Sequence, residues 1–264
     1  MGGDPERLDR SGFRLVFADD FTEPALDPNR WVDHYLPHWT TPDRSAARYA
    51  LDDEGVRLLI EADQPAWRPE DGGMRVSNLQ TGTFSGPVDS PVGQHRHRPD
   101  LRVRTPQPAR RLWLPSAGLV EVTARASADR ACMLGIWLVG FEEGSPEESG
   151  EVCIAELFGN VLGAAHSQVR LGVKAHHDPR LSTEIVDLVL PIDATEAHTY
   201  AAEWDARRAR FFVDDVQVHA VEQGMNYPQQ LMIDLFEFRA DGPRDPERYP
   251  KSATIRSARG YEPR

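Results

Sequence analysis

The chain has 264 residues, 40% hydrophobic and 27% charged, which is ordinary for a folded protein and within reach of one sandwich domain. Its net charge of −12 and pI near 5.2 argue against a nucleic-acid partner, whose phosphates call for basic surface. No apolar run has the length of a membrane span, and two cysteines make no disulfide framework, so Cys132 and Cys153 read as free thiols.

In chain order, Met1 to Arg7 lacks the apolar core of a signal peptide. As written the protein is expected in the cytoplasm, or outside the cell if a leader has been removed. Residues 1–12 read as a flexible segment and 13–264 as a single domain. Short apolar runs bounded by Pro, Gly and Asp then recur: Leu15–Phe21, Val56–Ile60, Gly118–Ala124, Met133–Gly140, Val169–Val173, Leu231–Phe236. In Leu119–Ala126 the alternation places Val120, Val122, Ala124 and Ala126 on one face. No long stretch keeps a capped 3.6-residue period, and there is no internal repeat, so the prediction is all-β. Two long irregular stretches, Pro24–Pro42 and Gly86–Pro115, are expected to line the rim of a cleft.

The segment Glu151-Val152-Cys153-Ile154-Ala155-Glu156 has strand composition but carries two carboxylates that a buried strand does not tolerate unpaired. Residues five apart in a regular strand point to opposite faces. A one-residue bulge would bring Glu151, Cys153 and Glu156 to one face. Two carboxyl groups on one cleft are what glycosidic bond hydrolysis requires; the alternative is a solvent-facing edge strand with two unrelated glutamates.

Around this segment stand Leu26-Asp27-Pro28-Asn29-Arg30-Trp31, the strand with Trp137 in mid-run, His198-Thr199-Tyr200-Ala201-Ala202-Glu203-Trp204, and Phe211-Phe212-Val213-Asp214-Asp215-Val216-Gln217-Val218. In this order, from about Phe13 to Tyr261, the set resembles glycoside hydrolase family 16, the laminarinase and β-glucanase group. The resemblance implies a β-jelly-roll sandwich of the concanavalin A-like type, two curved antiparallel sheets with a concave cleft. It also implies retaining hydrolysis of β-1,3 or mixed-linkage glucan, with Glu151 as nucleophile and Glu156 as acid/base. Cys153 stands where the family's Glu-x-Asp-x-x-Glu pattern has Asp, and a neutral thiol is a weak donor. The alternatives are a carbohydrate-binding descendant with little catalysis and a hydrolase of sulfated galactan.

Further residues complete the expected site. Trp137 should lie level with Cys153 on the adjacent strand and contact sugar. The family pattern places a His at the end of the strand after the catalytic one, here His176, where it would bond a sugar hydroxyl or the acid/base carboxylate; His177 should point the other way. Tyr35 and Trp39 concentrate rings in one loop and are candidate sugar contacts, whereas Trp31 reads as structural. Six arginines between Arg96 and Arg111 read either as a solvated face or as a basic cleft wall suited to sulfate, with Arg96 a substrate-binding candidate. Glu237 is a rim candidate, with one of these arginines as its partner. No histidine spacing makes a zinc site. Arg256 holds the position of the family's calcium-binding Asp, and a guanidinium cannot ligate a cation, so no metal or cofactor is expected. The expected partner is a polysaccharide or oligosaccharide, with no nucleic acid and no membrane, and the chain is expected to be a monomer.

Overall fold

A computed structural model describes residues 6–239 and 244–264. The strands are β1 (Phe13–Asp19), β2 (Arg48–Asp52), β3 (Gly55–Ile60), β4 (Arg75–Gln80), β5 (Gly82–Thr83), β6 (Arg110–Arg111), β7 (Gly118–Arg125) and β8 (Cys132–Gly140). They continue as β9 (Glu151–Phe158), β10 (Ser167–Lys174), β11 (Glu184–Leu190), β12 (His198–Trp204), β13 (Ala209–Val213), β14 (Val216–Val221), β15 (Gln229–Glu237) and β16 (Lys251–Pro263). A single helical turn, α1 (Pro42–Ser45), lies in the first long loop.

One sheet has the order β14-β13-β12-β7-β16-β3-β2, with β1 pairing to β16; the other has the order β11-β10-β9-β8-β15-β4. The pairings are antiparallel, and a two-stranded ribbon joins β5 to β6. This is the jelly-roll sandwich that the family resemblance implies. Between the sheets, alternate residues interdigitate: Val120, Val122 and Ala124 of β7 meet Leu134, Ile136 and Leu138 of β8 and Leu231, Ile233 and Leu235 of β15. Each such side chain contributes roughly 1.5–3 kcal/mol by leaving water.

The six-stranded sheet is apolar on both faces over part of its width. Met133, Trp137 and Val139 of β8 and Met232 and Phe236 of β15 point away from the main core and join a second cluster with Tyr35, Leu36, Trp39, Trp67, Leu101 and Val103. The two long loops therefore cover β4 and β15 and leave the β8–β11 side open. Residues 6–12, expected to be flexible, are held against the opposite sheet. Leu8 is buried, Leu8 N–H donates to Asp215 O, and Arg10 pairs with Glu121 and Asp215. Residues 1–5 of that segment lie outside the described residues.

No helix among the described residues is long and apolar enough to cross a membrane.

Candidate active site

Strand β9 builds the site through one irregularity. Its register against β8 runs Gly135↔Glu156 and Ile136↔Ala155, then Trp137↔Cys153 and Val139↔Glu151, so Ile154 is the extra residue. Against β10 the shift recurs between Arg170↔Glu156 and Gly172↔Cys153. Ile154 and Ala155 consequently both enter the main core, and Glu151, Cys153 and Glu156 share the outer face. The three side chains offer ligand-type atoms all within 4.8 Å of one another. This is the bulge predicted from the five-residue spacing of the glutamates. Gly172, at φ 137°, sits opposite the bulge, where a Cβ would lie 2.1 Å from the Glu184 carbonyl oxygen. No other residue fits there.

Both carboxylates are nearly out of water, Glu151 at 3% and Glu156 at 6% exposure. Buried charge of this kind demands partners. The principal partner is Lys174 at the end of β10, directly opposite Glu151 in register. Its Nζ lies 2.9 Å from Glu151 Oε1 as an ion pair without hydrogen-bond alignment, and donates to Glu156 Oε1 at 2.6 Å. His176 Nε2 is 2.7 Å from Glu151 Oε2. Burial alone would raise the Glu151 pKa, but Lys174 and then His176 outweigh it and hold the carboxyl at about 2. The two glutamates act in the opposite sense on Lys174, whose pKa is raised against its own desolvation.

Cys153 is fully buried, its Sγ 3.8 Å from the Arg170 carbonyl oxygen, and burial pushes its pKa well up. It is a neutral spacer between the glutamates. Trp137 lines the cleft beside it, its ring 5.4 Å from Lys174 Nζ. Gly135 makes room for that ring, since a Cβ there would approach it to 2.6 Å.

The open cavity over this face has a volume of about 550 Å³. Its walls include Tyr35, Met133, Trp137, Phe158, Phe236 and Phe238, with Arg170 and Asp187 at the β10–β11 side. Trp137, Phe236, Phe238 and Phe158 form a chain of neighbouring rings, 5.6 Å, 5.8 Å and 6.4 Å apart in that order. His95 enters from the second long loop, its ring edge-on to His176 at 4.9 Å. Burial and the neighbouring His176 depress the His95 pKa to about 3, so its ring is neutral.

Of the residues singled out in the sequence, Glu151, Cys153, Glu156, Trp137 and His176 come together here. His176 reaches Glu151 rather than Glu156, at the opposite end of the pair from the acid/base contact anticipated. Tyr35 lines the cavity but is 7% exposed, its ring edge-on to Trp67 and Phe236.

Three candidates fall elsewhere. Trp39 is fully buried; its indole N–H donates to Gln94 O at 2.8 Å, so it locks the two long loops together rather than meeting sugar. Glu237 is 1% exposed and not at a rim. Following Phe236 on β15 it faces the other way, into a cluster with Tyr249 OH at 2.6 Å, Lys251 at 2.7 Å and Arg244 at 3.0 Å, none of them in the arginine-rich segment. Arg96 lines a neighbouring cavity and donates to Pro99 O. The rest of the arginine stretch is likewise internally engaged: Arg98 with Asp71 and Asp100, Arg104 with Glu70, Arg111 with Glu143, Arg102 and Arg110 with backbone carbonyls. None of these side chains lines the cleft, which removes the basic wall. On the opposite sheet, Arg256 and Arg125 both pair with Glu54.

Sequence reading missed Lys174, His95 and the Phe158–Phe238 wall. Lys174 had one signal: two residues before His176, at the end of the adjoining strand, it stands opposite Glu151.

Residues 116–238 match the family model described as glycosyl hydrolases family 16. No curated protein sequence matches the chain. Among solved structures, a GlcNAcα1-4Gal releasing endo-β-galactosidase from Clostridium perfringens superposes with a TM-score of 0.82 at 23% identity, over 97% of this chain. The chain spans 64% of that protein's length. A non-specific endo-β-1,3(4)-glucanase from family GH16, SCLam, gives 0.69 at 16% identity, covering 99% of this chain and 96% of that one. The laminarinase from Rhodothermus marinus gives 0.65 at 18% identity, covering 96% and 98%. At such identities the likeness is one of fold. Glycoside hydrolase family 16 is the family this chain resembles, in sequence across the strands that carry Glu151 and Glu156 and in fold across nearly its whole length.

Proposed function

We propose that the protein hydrolyses β-glycosidic bonds of a polysaccharide with retention of configuration. One observation carries this reading: two buried carboxylates on the open face of β9, with oxygens within 4.8 Å of each other. Retaining enzymes hold their carboxyl groups about 5–5.5 Å apart, too close for a water to fit between carboxylate and sugar. In this reading Glu151, held as an anion by Lys174 and His176, attacks the anomeric carbon. Glu156 gives its proton to the leaving oxygen. Glycosylation removes the charge of Glu151, so Lys174 then faces Glu156 alone and stabilises it as the carboxylate that takes a proton from water. Lys174 thus serves whichever glutamate is charged, a task the neutral Cys153 cannot share. Trp137 forms the floor on which the sugar ring rests.

A β-glucan substrate follows from the family resemblance. A β-galactoside is the second reading, favoured by the higher TM-score with the Clostridium perfringens galactosidase than with the two glucanases. A reducing-sugar assay over laminarin, lichenan and β-linked galactans separates them. Release of new ends from one class, abolished in Glu151→Gln, is the expected result; no release from any of them sinks the hydrolase reading.

A further inference from the structure

A second cavity, of about 730 Å³, adjoins the first and is not used by the chemistry above. It lies between the loop after β8 and the second long loop. Phe84 and Val92 form an apolar wall; Glu142, Ser145, Arg96 and His177 supply polar groups. Two pairs of consecutive residues make the partition. His95 and His176 line the active-site cleft, while the residues that follow them, Arg96 and His177, line the second cavity. The partition is tied across its width: His177 Nε2 lies 3.3 Å from Arg96 O, and His95 N–H donates to Glu142 Oε1 at 2.8 Å.

We propose that this second cavity is a remote subsite that takes a sugar residue of the same chain that lies in the cleft. The proposal rests on the hydrolase reading for its substrate class. Further observations support it. The cavity has the size of a small-molecule site and is separated from the active-site cleft by a wall one residue thick. Glu142 is 8% exposed, yet the one hydrogen bond made to it among the described residues is that from His95 N–H, and the Nε of Arg96 is buried without a partner among them. Buried polar groups left without partners seek them from a ligand. Two of the charged groups around the cavity are engaged with neighbours: Glu143 pairs with Arg111, and Arg98 with Asp71 and Asp100. Burial also pushes Glu142 up to about 8, so at neutral pH it is a neutral O–H donor and acceptor, matched to hydroxyl or amide groups. The apolar wall suits the C–H face of a sugar ring.

The test uses β-1,3-gluco-oligosaccharides and β-galacto-oligosaccharides of increasing length. In the active protein kcat/KM should rise about tenfold or more once the chain is long enough to cross the partition, since one good sugar contact set is worth about 1.4 kcal/mol. Ser145→Trp, which fills the cavity, should remove that increment while leaving cleavage of the shortest substrate unchanged. Glu142→Ala should reduce the increment, and Glu142→Gln should keep most of it. A length increment unchanged in Ser145→Trp overturns the proposal, as does an equal loss on short and long substrates. If nothing is cleaved, the hydrolase reading fails, and calorimetric titration of the Glu151→Gln protein with the same series decides the cavity alone. Tighter binding of longer chains that Ser145→Trp abolishes supports it; length-independent affinity overturns it.

Discussion

Over β4 and β15 the outer face of the six-stranded sheet is sealed by Tyr35, Trp39 and Trp67; over β8, β9 and β10 the same face lies open on Glu151, Lys174 and Glu156. The two halves share one sheet and one hydrogen-bonded ladder, but their physics differs. In the covered half, aromatic rings meet other rings, and their polar atoms are spent on backbone carbonyls: Trp39 Nε1 on Gln94 O and Trp67 Nε1 on Tyr35 O. In the open half, charged groups face one another across a neutral thiol with an edge to solvent. Ring content alone therefore does not mark a sugar site; what distinguishes Trp137 is that its ring lies on the open cavity beside Lys174.

Substitutions that separate the halves should show it. The largest effect belongs to the open half: Glu151→Gln is expected to lower kcat on the order of 10⁴-fold or more with thermal unfolding little changed. Glu156→Gln should lose comparable activity on polysaccharide but recover it on an aryl glycoside whose leaving group needs no proton. If both variants matched the wild type, chemistry would have to be sought elsewhere. In the covered half, Trp39→Ala should cost about 3–5 kcal/mol of stability, read from a denaturant midpoint. Trp137→Ala should cost less, because one side of its ring is open, and raise KM instead. A reversed ranking of the two tryptophans would dissolve the distinction drawn here.

A smaller effect is in pH. Because Lys174 and His176 depress the Glu151 pKa to about 2, Lys174→Met should move the acid limb of the rate profile upward by about one to two pH units. The same shift bears on stability. A folded-state pKa below the unfolded one means that the ionised pair stabilises the fold above the ordinary carboxylate range, and that this is lost as pH falls toward about 2. Acid unfolding of Lys174→Met should begin at higher pH, and an unmoved midpoint would show that Lys174 does not hold the charge. Smallest of all, Phe238→Ala, at a residue 39% exposed, should raise KM two- to threefold at most and leave the unfolding midpoint where it is.

The frame of this site was legible because strands announce themselves by alternation and a bulge by its failure. Ile154 and Ala155, adjacent and apolar, break the period that begins at Glu151, and the only phase that keeps both glutamates out of the core is the one observed. Trp137 followed from register in the same way, whereas His177 lies beyond the end of β10, where His176 at φ 46° breaks the alternation. What was not legible lies in the loops, where no period relates neighbours. Trp39 and Arg96 sit in segments whose direction is set by contacts far away in sequence, Gln94 for the one and Pro99 and His177 for the other. Glu237 failed for a different reason: strand alternation turns it from the cleft, and its partners Lys251 and Arg244 come from beyond β15. Lys174 was overlooked because a lysine at a strand end is ordinarily solvated; only the pairing across β10 reveals two carboxylates within its reach.

The two thiols, finally, make the sandwich a reporter on its own opening. Cys132 faces the main core with its pKa pushed to about 12, and Cys153 lies on the cleft face with its pKa well above the ordinary value, both by burial. Since only the thiolate reacts with an alkylating reagent, labelling of either should wait on a fluctuation that wets it. Cys153 needs the loss of its covering at the bulge, whereas Cys132 needs the start of β8 to leave the main core. The ratio of their modification rates at a given temperature is thus a clock with two hands: one keeps time for the breathing of the cleft, the other for the lifetime of the whole fold.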